Sequence, residues 1–214
     1  MTLKKVFPVA EAVSVGCGLS LVALFAHGSG GQVVLSAAGW ALAASGMVRA
    51  AFMDLPSLAG LLGIGPMTGR AAFFVVFGCV LGVGFAVAYR LHTGARPFFF
   101  GLSWVALVAC LIGMAEEGVY RGWMMGVLEG KGMARAVVFA AVFHAGYKGA
   151  LFVFSPSGQR TDQLFLLSAT LFGGLVLGAL RAFSGSLVPA LAAHAVFDLV
   201  VYADHADFPW WVWS

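Results

Sequence analysis

Residues 71–90 read AAFFVVFGCVLGVGFAVAYR, a run that carries no charge until Arg90 closes it. A helix rises 1.5 Å per residue, so about twenty such residues cross the roughly 30 Å hydrocarbon core of a bilayer. Comparable apolar runs, bounded by charge, Gly and Pro, occupy 8–27, 32–52, 98–118, 134–154, 163–183 and 186–204. The pattern predicts an all-α fold: a polytopic transmembrane bundle of about seven spanning helices, forming one membrane domain over residues 1–214. Between the second and third runs, Asp54, Pro56, Gly60, Gly63, Gly65, Pro66 and Gly69 make the longest interruption, which reads as a re-entrant or interfacial segment.

Composition points the same way. The 214 residues are 61% hydrophobic and 10% charged, with a mean hydropathy of +0.97, far from the balance of a soluble domain. The net charge of +3 comes from basic residues spread singly along the chain, which excludes a nucleic-acid patch. Cys17, Cys79 and Cys110 sit inside apolar runs without CxxC spacing, so they read as buried small hydrophobes. Lys4 and Lys5 precede the first run as in a signal peptide, yet Glu11 and the later spans favour an uncleaved first helix.

Cytoplasmic flanks hold the excess of Lys and Arg. With the N-terminus inside, Lys4, Lys5, Arg49, Arg70, Lys131, Arg135 and Arg181 are cytoplasmic, against Arg90, Arg96 and Arg160 outside. Trp210, Trp211 and Trp213 then suit an outer aromatic belt. The expected location is a bacterial inner membrane with a cytoplasmic N-terminus.

A charge at the centre of a spanning helix costs about 2.5–3.5 kcal/mol on insertion scales, so buried charges call for partners or a function. Three groups qualify: Glu116, Glu117 and Arg121 in GMAEEGVYRGWM, His144 and Lys148 in VVFAAVFHAGYKGA, and His194 and Asp198 in SLVPALAAHAVFDLV. Residues four apart share a helix face, which pairs Glu117 with Arg121, His144 with Lys148, and His194 with Asp198. Glu116 is rotated about 100° from Glu117, so one carboxylate neutralises Arg121 as a structural support while the other points elsewhere. His144 lies roughly 15 Å along its span and His194 roughly 12 Å along its own, which lets both converge with Glu116 at one depth.

These residues resemble a family pattern. A di-glutamate followed by arginine (Glu116, Glu117, Arg121), a histidine on the next helix (His144), and HxxxD (His194, Asp198) after a Gly-Ser-x-x-Pro start are similar to the CPBP family. That family, also called the CAAX protease and bacteriocin-processing or ABI family, comprises glutamic intramembrane endopeptidases. The resemblance covers approximately 98–204. One departure is that the family's FxxxH has Ala140 four before His144, with Phe139 and Phe143 flanking instead.

The resemblance implies Glu116 as general base, His144 as the group that helps hold or activate water, and His194 with Asp198 as the oxyanion-stabilising pair. Asp198 serves there as a protonated donor or as an acceptor that orients His194. No cofactor is needed in that scheme. The competing scheme is a zinc site built from Glu116, His144 and His194 with an open fourth position, which the lack of HExxH disfavours. The implied partners are the bilayer and a membrane-associated protein or peptide substrate.

Blander readings remain open. A single intramembrane histidine is commonly a helix–helix hydrogen-bonding residue. Lys148 snorkels or pairs with Asp162; Glu11, Arg49 and Asp54 are interfacial; His27, His92 and His205 are solvated loop histidines; Gly173, Gly174 and Gly178 permit close packing. Outside enzymes, a proton-coupled transporter also uses intramembrane Glu, Asp and His, but no paired halves are visible. A non-catalytic immunity or assembly factor is the other alternative.

Overall fold

The computed structural model describes residues 8–25, 31–98, 101–153 and 162–207. Lys4, Lys5, His27, Arg160, Trp210, Trp211 and Trp213 lie outside the described residues. The described residues are helical and contain no strand. The helices are α1 (Pro8–Leu24), α2 (Gly31–Ala51), α3 (Leu55–Leu62), α4 (Gly69–His92), α5 (Trp104–Glu117), α6 (Met125–Leu128), α7 (Met133–Val153), α8 (Gln163–Ser184) and α9 (Val188–Val201).

Three of them, α4, α7 and α8, are long and apolar enough to cross a membrane, and α1 and α9 are shorter apolar helices. The protein is thus an integral membrane protein, with three helices of membrane length and two shorter apolar ones among the described residues, where the sequence leads to an expectation of about seven crossings. Phe73, Val76 and Val80 on α4 and Leu111 on α5 are each about two-thirds exposed. Large apolar side chains facing outward in such numbers suit lipid rather than water.

Local chemistry sets the helix ends. Thr68 accepts from the Ala71 N–H at 3.1 Å and Ser103 from the Ala106 N–H at 3.0 Å, each capping the helix that follows. Ser103 explains why α5 starts at Trp104, well inside the apolar run that begins at 98. The interruption after α2 holds the short helix α3, capped by Asp54 and ended by Gly63 in the left-handed conformation (φ 73°). Beyond Glu117 the chain does not stop. It continues through a π-helical segment, Gly118–Met124, into α6, so the rod from Trp104 to Leu128 is roughly 37 Å long.

Helix α9 lies at the centre of one half of the bundle, packed most extensively on α4 and then on α5. Small residues permit this approach: a Cβ on Gly82 would stand 2.3 Å from the Ala193 carbonyl oxygen. The other half is α1 on α2, and α7 between α1 and α8. An ion pair joins Glu11 of α1 to Arg49 of α2, so these two are helix-pairing rather than merely interfacial. Gly174 and Gly178 face α7, whereas Gly173 opens onto space. Cys17 is exposed and the other two cysteines are half-buried, which corrects the expectation that all three are buried.

Arg90, at the end of α4, is only 1% exposed. It donates to the Val201 carbonyl at 2.8 Å and makes a two-pronged pair with Asp204 at 2.8 and 2.7 Å. The C-terminus of α9 exposes carbonyls with no helical partner, and Arg90 satisfies them from the end of α4.

Candidate active site

Glu116, Arg121, His144, Lys148, His194 and Asp198 line one cavity of roughly 600 Å³, walled otherwise mainly by apolar residues of α4, α5, α7, α8 and α9, with Ser168 and Thr170 of α8 among them. The two glutamates occupy the last turn of α5, at its junction with the π-helical segment that carries Arg121. His144 and Lys148 come from α7, and His194 and Asp198 from α9. Glu117 and Arg121 are fully buried, and Glu116, His144 and Asp198 nearly so.

Arg121 Nη1 lies 2.8 Å from Glu117 Oε1 and 2.9 Å from His144 Nδ1. Arginine has only donors, so His144 accepts at Nδ1 and carries its proton on Nε2. That Nε2–H points at Glu116 Oε2, 3.2 Å away. The face of the imidazole stacks on Tyr120, with ring centroids 4.5 Å apart. His144 is therefore held on three sides, with its tautomer set by a guanidinium.

His194 is oriented from the opposite direction. Its Nδ1 is 2.8 Å from Glu117 Oε1, which makes Nδ1 the donor and turns Nε2 toward Asp198. The Asp198 Oδ2 stands 3.7 Å from Nε2, too far for a hydrogen bond. Asp198 thus does not orient His194 in this structure. Glu117 does, while also neutralising Arg121.

Gly113, one turn before Glu117, closes the space behind this pair. A Cβ there would stand 2.3 Å from Asp198 Oδ2 and 3.0 Å from His194 Nε2. Glycine lets α9 bring its two polar side chains against α5. Spacing within one helix gives no signal of this, because the contact belongs to two helices.

Lys148 was expected to snorkel or to pair with Asp162. Instead its Nζ lies 2.5 Å from Glu116 Oε1, and Asp162 faces His92 at 3.3 Å. Six side chains thereby form an unbroken sequence across three helices, from Lys148 through Glu116, His144, Arg121 and Glu117 to His194.

Glu116, His144 and His194 do not fit a zinc centre. Glu116 has an ammonium on one oxygen and an N–H on the other, His194 Nδ1 is spent on Glu117, and no group of three or more potential ligands clusters among the described residues.

The fold and site together define a helical membrane protein with buried carboxylates and imidazoles on one cavity. Residues 97–200 match the family described as Rce1-like, Type II CAAX prenyl endopeptidase Rce1-like. Residues 97–200 thus carry a domain of this family of CAAX endopeptidases, which implies an intramembrane protease. No curated protein and no solved structure matches the chain.

Proposed function

We propose that this protein is an intramembrane endopeptidase that hydrolyses a peptide bond of a membrane-associated protein or peptide with a water activated by Glu116. The observation that carries the reading is the meeting of Glu116, His144 and His194, from three different helices, on one cavity within the range of the family match. The chain crosses the membrane as about seven helical passes with its N-terminus cytoplasmic, in keeping with the distribution of Lys and Arg.

In the reaction, the water oxygen attacks the scissile carbonyl carbon as Glu116 takes a proton from it. His144, with Nδ1 engaged by Arg121, offers its Nε2–H beside the same carboxylate and keeps water and base in register. Negative charge develops on the carbonyl oxygen. His194, protonated on Nε2 as well as on the Nδ1 that donates to Glu117, and a protonated Asp198 each donate to that oxyanion from the facing wall. The C–N bond then breaks, and the proton held by Glu116 passes to the leaving nitrogen, giving a new carboxyl end and a new amine end.

The test is cleavage of quenched-fluorescent peptides ending in a CAAX box, with farnesylated and with unmodified cysteine, by purified protein in liposomes. Cleavage by the wild type is expected, with a loss of about a hundredfold or more in Glu116→Gln and unchanged thermal unfolding. A wild type that cleaves neither peptide, or a Glu116→Gln variant that cleaves at the wild-type rate, overturns the reading.

A further inference from the structure

Among the described residues Lys148 is the one ammonium on the cavity wall, and hydrolysis by Glu116 gives it no direct task. A lysine near a helix end in a bilayer ordinarily extends its stem so that the charge reaches the interface. This one turns inward. Its side chain is 20% exposed, and its Nζ meets Glu116 Oε1 while also lying 5.5 Å over the Tyr147 ring. The carboxylate of Glu116 is consequently fastened at two points, Oε1 to Lys148 and Oε2 to His144. A carboxylate has about four lone-pair positions, so two remain for water.

We propose that Lys148 is a positioning residue for peptide hydrolysis: it clamps Oε1 of Glu116 so that the remaining lone pairs face the cavity where water and substrate meet. This assignment rests on the peptidase reading. With one fastening, the carboxylate pivots about its contact with His144, and a displacement of the reacting oxygen by about 1 Å costs on the order of a hundredfold in rate. Lys148 does not touch substrate in this scheme, so the loss falls on kcat and leaves KM in place.

The experiment uses full-length protein in liposomes with the CAAX peptides above. Lys148→Ala is expected to lose about a hundredfold in kcat with KM within about twofold. Ethylammonium chloride should restore about a tenth of the wild-type rate, where sodium chloride at equal ionic strength restores none. Lys148→Met preserves the length of the stem without the charge and should lose kcat similarly, while Lys148→Arg, which keeps a cation, should retain more than either. A Lys148→Met variant with kcat within twofold of wild type overturns the assignment, as does a loss in Lys148→Ala that ethylammonium leaves untouched. A wild type that cleaves neither peptide overturns the peptidase reading and this assignment with it. An active wild type with an equally active Lys148→Met overturns only the role of Lys148.

Discussion

Glu117 Oε1 and His194 Nδ1 are 2.8 Å apart, a contact between α5 and α9 that fixes which nitrogen of His194 faces the cavity. The same oxygen accepts from Arg121, which is wholly buried. One carboxylate thus serves as counter-charge and as orienting group. Glu117→Ala is expected to lower stability by about 3–5 kcal/mol, because it leaves a buried guanidinium uncompensated. Thermal unfolding in detergent measures this, and a shift indistinguishable from wild type would contradict the pairing.

Asp198 separates two roles. If it donates to the oxyanion, Asp198→Asn supplies an amide donor of the same size and keeps much of the activity. Asp198→Ala removes the donor and is expected to lose about a hundredfold. Equal and severe losses in both variants, with unchanged thermal stability, would show instead that the ionised carboxylate is required.

Exhaustive chelation is expected to leave peptide cleavage intact. The oxygens of Glu116 already have Lys148 and His144 as neighbours, and His194 Nδ1 has Glu117. Loss of activity on chelation and its return with added Zn²⁺ would overturn the metal-free mechanism.

Gly113→Ala tests the approach of α9 to α5. The added methyl would meet Asp198 Oδ2 at 2.3 Å and the imidazole of His194 near 3 Å, so both side chains must move. An activity loss of about tenfold to a hundredfold is expected, larger in proportion than any fall in melting temperature. Wild-type activity in this variant would mean that the placement of His194 and Asp198 does not matter to the chemistry.

Asp204→Ala removes the carboxylate from Arg90 at the far end of α9. Because Asp204 is about one-third exposed, the expected cost is modest, about 1–3 kcal/mol. Activity at low temperature should persist, since this lock lies outside the cavity. Fluorescence-monitored unfolding alongside the peptide assay distinguishes the two effects.

Apolar runs bounded by charge and glycine located α4, α7 and α8 to within two residues, because a membrane-length helix is written as length plus apolarity. The fourth run misled at both ends. Apolarity does not register the Ser103 cap, and nothing in the spacing announces a π-helical segment that carries the rod on to Leu128. At the site, four-residue spacing is a property of one helix, and it brought Glu117 to Arg121. Contacts between helices depend on how each rod is rotated about its axis. In helices as uniformly apolar as α7 that rotation leaves little trace in the sequence. This is why the inward turn of Lys148 to Glu116 and the hold of Glu117 on His194 became visible only in three dimensions.

The unbroken series from Lys148 to His194 has a consequence for anyone scanning the site one residue at a time. Each member is both supporter and supported, so removing any one releases its neighbours on either side. Losses from single substitutions along such a series do not add, and interaction energies between contacting members commonly reach about 0.5–3 kcal/mol. A variant lacking both Glu117 and Arg121 should therefore fare better than the product of its two parents, and the sum of all single losses will exceed what the whole cluster contributes.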